Sequence, residues 1–228
     1  MLTHVTGNIF DSKRQTIVNA VNCVGVMGAG IALEYRFRYP EMYEKYQQFC
    51  EVQSLDIGKL WIYKADANRW VLNFPTKKDW KHPTKEEYLH QGLTKFVDEY
   101  KSKNVESVAF PLLGADRGGL GQDKSVRILE QYLSDLDIPV DIYHYDPNAK
   151  DELCEKVRTI VMNHQPAEFS DLVSFRESEL IKLRAHFDDP GIKQISNLLK
   201  IKGIGQRTVE KLYQLSSFES SNYQQTLL

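Results

Sequence analysis

No stretch of this 228-residue chain approaches the roughly 18–20 consecutive apolar residues that a membrane-spanning helix needs, so no such span is expected. Cysteine is scarce. Cys23, Cys50 and Cys154 are odd in number, widely spaced and without a CxxC pair or a histidine-rich partner. Such a set argues against both a disulfide framework and a zinc site, and no metal or other cofactor is expected. Net charge is also small: 29 Lys+Arg against 31 Asp+Glu leave −2, which gives no global reason to expect nucleic acid. A secretory pattern is missing, because Met1-Leu2-Thr3-His4 runs straight into strand-like sequence. Together these absences lead to the expectation of a soluble, cytoplasmic protein, without membrane partners and monomeric. What the chain does have is 42% hydrophobic and 11% aromatic residues, enough for a packed core and too much for a disordered chain. At roughly 100–200 residues per domain, the length fits one domain with a small appendage, or one large domain.

Short β-like runs alternate with helical patterns as far as residue 148. Runs rich in Val, Ile, Tyr and Phe predict strands at Leu2–Thr6, Thr16–Val21, Lys59–Tyr63, Trp70–Phe74, Ser107–Pro111 and Val140–Tyr145. Helices are expected over Gly30–Arg38, Glu41–Val52, Thr84–Lys103 and Asp123–Leu136. In the third, Thr84 is the expected N-cap and Glu87 its capping-box partner. This alternation predicts an α/β fold with a mixed or parallel sheet covered on both faces. Ligands of such sheets bind beyond the carboxyl ends of the strands. After Asp146-Pro147 the strands stop, and helical periodicity is read over residues 149–162 and 171–186. The expected organisation is an α/β domain over residues 1–148, a helical linker over 149–169 and a small all-α region over 170–228, with Ser216–Leu228 polar and frayed.

Two glycine-rich loops stand where a ligand would be. Asn22-Cys23-Val24-Gly25-Val26-Met27-Gly28-Ala29-Gly30-Ile31 follows a strand and opens a helix, and Leu113-Gly114-Ala115-Asp116-Arg117-Gly118-Gly119-Leu120 does the same further on. Small residues let backbone N–H groups approach a ligand, and a helix N-terminus favours negative charge, so the pair suits a diphosphate. Neither loop is a P-loop or a Rossmann fingerprint.

Val5-Thr6-Gly7-Asn8-Ile9-Phe10, Val18-Asn19-Ala20-Val21-Asn22, Gly28-Ala29-Gly30-Ile31-Ala32 and Pro111-Leu112-Leu113-Gly114 resemble, in order, the motifs of macrodomains. Asn73-Phe74-Pro75-Thr76-Lys77-Lys78-Asp79-Trp80 resembles the lysine-bearing motif of the DNA ADP-ribosyl glycohydrolase antitoxins within that superfamily. The resemblance implies a three-layer fold with an ADP-ribose cleft: Asn8 and Ile9 near the adenine, with Tyr145 at its face, and Asn22 near the distal ribose. It places Gly28, Ala29, Gly30 and Ile31, with Gly114, Ala115, Arg117 and Gly118, around the diphosphate and distal ribose. Asn8 stands where the family usually has aspartate; its amide carbonyl can still accept a hydrogen bond from the adenine amino group, but without a charge.

Lys77 is the candidate catalytic residue. The distal ribose exposes a latent aldehyde at its anomeric carbon when the ring opens, and an amine can attack it there to form a Schiff base. Burial and repulsion from Lys78 and Lys81 are expected to lower its pKa. Asp116 is the candidate acid–base partner, or else a turn residue bonded to its own loop. Related lysine-dependent hydrolases carry an aspartate where Gly118 falls here, and antitoxin-type relatives carry Cys-Gly in place of Ala115-Asp116. His4, His82 and His90 have no partner at informative spacing, and structural roles are expected for them.

The tail holds the one strong charge asymmetry: Lys193–Lys211 contains five basic residues and one acid. Leu198 to Leu212 resembles a helix-hairpin-helix motif. In it Gly203 and Gly205 form the turn, Lys200, Lys202, Arg207 and Lys211 supply charge for a DNA phosphate, and the helix around Leu172–Phe187 completes a small bundle. The leading expectation is therefore a hydrolase removing ADP-ribose from DNA bases. Its partners would be ADP-ribose, ADP-ribosylated DNA and a cognate ADP-ribosyltransferase toxin. The alternatives are a deacylase of ADP-ribosyl-glutamate or O-acyl-ADP-ribose, and a non-catalytic ADP-ribose reader.

Overall fold

A computed structural model describes residues 1–218; Glu219–Leu228, part of the expected polar tail, lie outside the described residues. The described residues form two compact units, the first Met1–Pro147 and the second beginning at Asn148. Among the described residues no helix is long and apolar enough to cross a membrane.

The first unit is a three-layer α/β fold. Strands β1 (Leu2–Gly7), β2 (Thr16–Asn22), β3 (Trp61–Lys64), β4 (Trp70–Lys77), β5 (Val108–Pro111) and β6 (Val140–Tyr145) make one sheet in the order β1-β6-β5-β2-β4-β3. All neighbours are parallel except β3, which runs antiparallel to β4. Helices α1 (Gly30–Arg38) and α2 (Pro40–Glu51) cover one face, and α3 (Glu86–Glu99) and α4 (Gln122–Leu133) the other. The two-residue period of β2 explains why it needs both. Ile17 and Val21 pack with Tyr35, Met42 and Tyr46, whereas Val18 packs with Leu89, Leu93, Phe96 and Leu129.

Local chemistry sets the helix ends. Pro40 stands at the first position of α2, where a missing N–H costs nothing. Gly121, at φ +81, turns the chain into α4. The expected cap of α3 is overturned: the N-cap is Lys85, with no side-chain bond, and the helix starts at Glu86. Thr84 is buried instead, its N–H donating to the Gly118 carbonyl at 2.9 Å, so a tertiary contact has taken the residue that local pattern assigned to a cap.

Gly92 marks the tightest helix–sheet contact. A Cβ there would lie 2.2 Å from Cζ of the fully buried Phe74. Alanine would favour the helix by roughly 1 kcal/mol, but overpacking a dense core costs about 1–3 kcal/mol. With a buried ring in the way, the packing cost wins: Gly92→Ala is expected to lower unfolding free energy by about 1–2 kcal/mol in urea titration, and a stabilised variant would contradict this packing.

In the second unit, α5 (Glu152–Asn163), α6 (Glu177–Phe187) and α7 (Gln206–Leu215) are joined through 3-10 turns at Pro166–Phe169 and Ile195–Lys200. Asp151 caps α5 by accepting from Leu153 N at 3.0 Å, a cap that periodicity alone did not reveal. Residues 149–169 thus carry α5, which packs on α6 and α7. Arg184 closes the far end of α5 by donating to the carbonyls of Val161 and His164, at 3.0 Å each. The helix expected from residue 171 begins only at Glu177: the buried Val173 closes the preceding turn instead, its N–H donating to the Phe169 carbonyl at 3.0 Å.

Candidate active site at the carboxyl edge of the sheet

Every site residue expected in the first unit lies at or beyond the carboxyl end of a parallel strand. Asn8 and Ile9 follow β1, Tyr145 ends β6, Gly114–Gly118 follow β5, Asn22 ends β2 and Lys77 ends β4. From β1 to β4 is four strand spacings, roughly 19 Å, an edge long enough for an extended ligand with a sugar at each end. Two cavities, one of about 270 Å³ lined by Trp61, Leu72 and Phe96 and one of about 440 Å³ lined by Val97, Gln131 and Tyr132, lie on the α3 flank away from this edge.

Lys77 owes its position to a break in strand register. Val21 pairs with Pro75 but Asn22 pairs with Lys77, so Thr76 is an extra residue in β4. Proline has no N–H for the ladder, and a bulge re-aims the side chains after it. From here Lys77 Nζ donates to the Arg117 carbonyl of the second glycine loop at 2.5 Å, although the two residues are 40 apart in sequence. Burial, and then the positive charge of Arg117, push the Lys77 amine below its ordinary pKa. The expected repulsion came from Lys78 and Lys81. The structure instead pairs Lys78 with Asp56 at 3.8 Å and sets Lys81 over the Trp80 ring, so a sequence-distant arginine takes that part.

The second glycine loop is built from its own backbone. Leu120 N donates to Gly114 O, Gly119 N to Asp116 O and Gly121 N to Ala115 O, at 3.0, 3.1 and 3.3 Å. The turn at Asp116 therefore closes through its main-chain carbonyl, without calling on the exposed carboxylate. Gly114 has φ +69, and Gly118 is buried where a Cβ would lie 2.3 Å from the Gly114 carbonyl oxygen and 2.5 Å from Thr84 Oγ1. The two glycine loops adjoin: a Cβ on Gly30, φ +58, would meet the Arg117 side chain at 3.8 Å.

The first loop is organised by Asn22. Its Oδ1 accepts from Val24 N, Val26 N and the Tyr46 hydroxyl, and its Nδ2 donates to Val26 O. Gly28, Ala29 and Gly30 are thereby left exposed at the start of α1, whose first turn has no acid and no side-chain cap. Ile31 is half-buried and packs toward the α1–α2 core. At the other end of the edge, Asn8 Oδ1 accepts from Phe10 N at 3.1 Å, Ile9 is buried in the core, and Tyr145 is 62% exposed opposite Gly7. Among the described residues no group of three His, Cys, Asp or Glu could hold a metal ion.

Sequence reasoning missed three supporting residues. Tyr46 donates to both the carbonyl and the side-chain oxygen of Asn22. Thr84 underlies the second glycine loop, its Oγ1 buried without a hydrogen-bond partner. Cys23 donates from Sγ to the Lys77 carbonyl at 3.3 Å, and burial raises its thiol pKa to about 12, so it stays protonated and uncharged beside the lysine. None has a local signature, since each acts on a residue brought to it by the sheet.

In the second unit, Gly203 (φ +87) and Gly205 are exposed in the turn before α7, as are Lys200, Lys202 and Arg207. Lys211 is paired with Glu179 at 3.1 Å, and Lys182 donates to the Lys202 carbonyl at 2.8 Å. The element before the turn is the 3-10 segment Ile195–Lys200 rather than an α-helix.

The Macro domain family matches residues 18–129 of the chain. A DNA ADP-ribosyl glycohydrolase of Thermus aquaticus is 37% identical over 150 residues, which cover 64% of this chain and 41% of that protein. The chain thus spans well under half the length of that curated relative. The solved structure of the macrodomain of Mycobacterium tuberculosis DarG is 37% identical and superposes with a TM-score of 0.60, over 63% of this chain and 97% of that one. Thermosipho africanus DarTG in complex with ADP-ribose is 32% identical, with a TM-score of 0.59, over 63% of this chain and 42% of that one. With the three-layer sheet and both glycine loops at its carboxyl edge, the chain belongs to the macrodomain family.

Proposed function

We propose that this protein is a hydrolase that removes ADP-ribose from modified DNA bases. The observation that carries this reading is Lys77 Nζ held against the backbone of a glycine loop, in a chain similar to DNA ADP-ribosyl glycohydrolases. Asn8, Ile9 and Tyr145 take the adenine end, and Gly28–Ile31 with Gly114–Gly118 hold the diphosphate through backbone N–H groups, with Arg117 adding charge. A neutral Lys77 amine that donates one N–H to Arg117 O keeps its lone pair for the anomeric carbon. Attack there forms a C–N bond as the bond to the DNA base breaks, and the base nitrogen leaves with a proton, for which Asp116 is the candidate donor. The glycosylamine so formed opens its ring, the nitrogen lone pair making the C=N bond as the bond from the anomeric carbon to the ring oxygen breaks and that oxygen takes up the proton lost by the attacking amine; water then hydrolyses the imine, releasing ADP-ribose and the free amine.

In the same reading the second unit binds the nucleic acid. Lys200, Lys202 and Arg207, with Lys211 at the edge, contact the phosphate backbone, and Gly203 and Gly205 let it approach the start of α7. Such contacts are independent of sequence and weaken with salt. A cognate ADP-ribosyltransferase is the enzyme whose product this activity would reverse.

The test is incubation of ADP-ribosylated single-stranded DNA with the protein, followed by mass spectrometry of the products. Free ADP-ribose and unmodified oligonucleotide are the expected products. Release from an ADP-ribosyl-glutamate peptide but none from DNA would transfer the proposal to the deacylase, and tight ADP-ribose binding without release from any substrate would make the protein a reader.

A further inference from the structure

The turn that follows Lys77 is not used by the chemistry above, yet it has an unusual composition. Asp79 builds it, its carbonyl accepting from His82 N at 3.2 Å and its carboxylate from Lys81 N at 2.9 Å. Trp80 is at its tip with 53% of its surface in solvent, although Trp70 is buried and Trp61 half-buried. Lys81 Nζ lies 5.6 Å from the centroid of the Trp80 ring, while Lys78 is engaged by Asp56. An indole presented three residues beyond Lys77 by a hydrogen-bonded turn, with a cation beside it, fits a ligand having both a flat π-face and negative charge. A nucleobase with its phosphate has both; an apolar peptide lacks the charge, and a free anion lacks the ring.

We infer that Trp80 is a stacking platform for single-stranded DNA, holding the base beside the modified nucleotide while Lys81 faces its phosphate. This rests on the DNA reading of the site and gives the first unit its own grip on the nucleic acid. Single-stranded DNA follows from the geometry of stacking, because a ring can lie flat only on a base that has left its neighbours. A duplex keeps its bases stacked on one another and offers Trp80 no face.

The experiment uses the full chain and needs no turnover, so it stands apart from the hydrolase assay. An unmodified fluorescein-labelled oligothymidylate and a duplex of equal length are titrated against the wild type, Trp80→Ala and Trp80→Phe, with anisotropy as the binding signal and an unlabelled oligothymidylate for intrinsic fluorescence quenching. Trp80→Ala is expected to weaken single-strand binding about tenfold, to abolish most of the quenching and to leave duplex binding and thermal melting unchanged. Trp80→Phe is expected to recover most of the affinity, since the ring persists. Unchanged single-strand affinity in Trp80→Ala, equal weakening on both probes, or no recovery by phenylalanine would overturn the inference. Failure of the wild type to release ADP-ribose from DNA, with this pattern intact, would count against the hydrolase reading alone.

Discussion

Lys77→Ala is expected to release ADP-ribose from DNA at least about 100-fold more slowly than the wild type while still folding and binding free ADP-ribose. The side chain is partly exposed at the end of β4, and its removal deletes one surface hydrogen bond and no core contact, so stability should change by less than about 1 kcal/mol. Lys77→Arg separates the two roles open to a lysine. Arginine keeps the charge but never loses its proton near neutrality, so it can stabilise a leaving group but cannot attack carbon. A covalent role predicts that Lys77→Arg is as inactive as Lys77→Ala, and that borohydride traps a protein–sugar adduct in the wild type. Full activity in Lys77→Arg would leave only the electrostatic role. The pH profile follows from the displaced amine. The deprotonated form reacts, so in Asp116→Asn, which removes the other titrating group of the step, kcat/KM rises with pH and levels off through an inflection below the ordinary lysine value of 10.5, because burial and Arg117 both disfavour the ammonium.

Gly118→Ala is the second large effect. Its cause is space: Gly118 has no positive φ, but an added methyl would meet the Gly114 backbone at 2.3 Å. The loop must shift, costing about 1–3 kcal/mol of stability, and with it move the Arg117 carbonyl that holds Lys77 and the N–H groups offered to the ligand. Affinity for ADP-ribose, read by calorimetry, should fall at least about tenfold, and turnover should fall with it. Trimming the other obstacle does not help. Thr84→Ala in the Gly118→Ala background is expected to leave affinity low, because the nearest clash is with main chain. Restored binding in the double variant would mean that the Thr84 side chain, and not the loop backbone, sets the shape of the site.

Much of the edge was legible beforehand, because its signals are local. Runs rich in Val, Ile, Tyr and Phe placed the ends of all six strands to within three residues, and glycines after β2 and β5 marked the loops. Where reading failed, a distant partner had intervened. Thr84 looks like a cap from its neighbours, but the second glycine loop pulls it under Gly118. Lys77 looks as though Lys78 and Lys81 repel it, but one of these is paired with Asp56, and the cation that acts on it is Arg117.

The same division runs through the whole molecule. By itself the sequence determined which segments become strands and helices, where the backbone can turn tightly, and which side chains could react, since these depend on steric preference and pattern within a few residues. Tertiary structure decided which of those residues meet. Parallel pairing places the ends of β2, β4 and β5 on one edge, and the extra residue at Thr76 turns Lys77 onto a loop 40 residues away. Non-local pairing sets that register, and no window of the chain contains it.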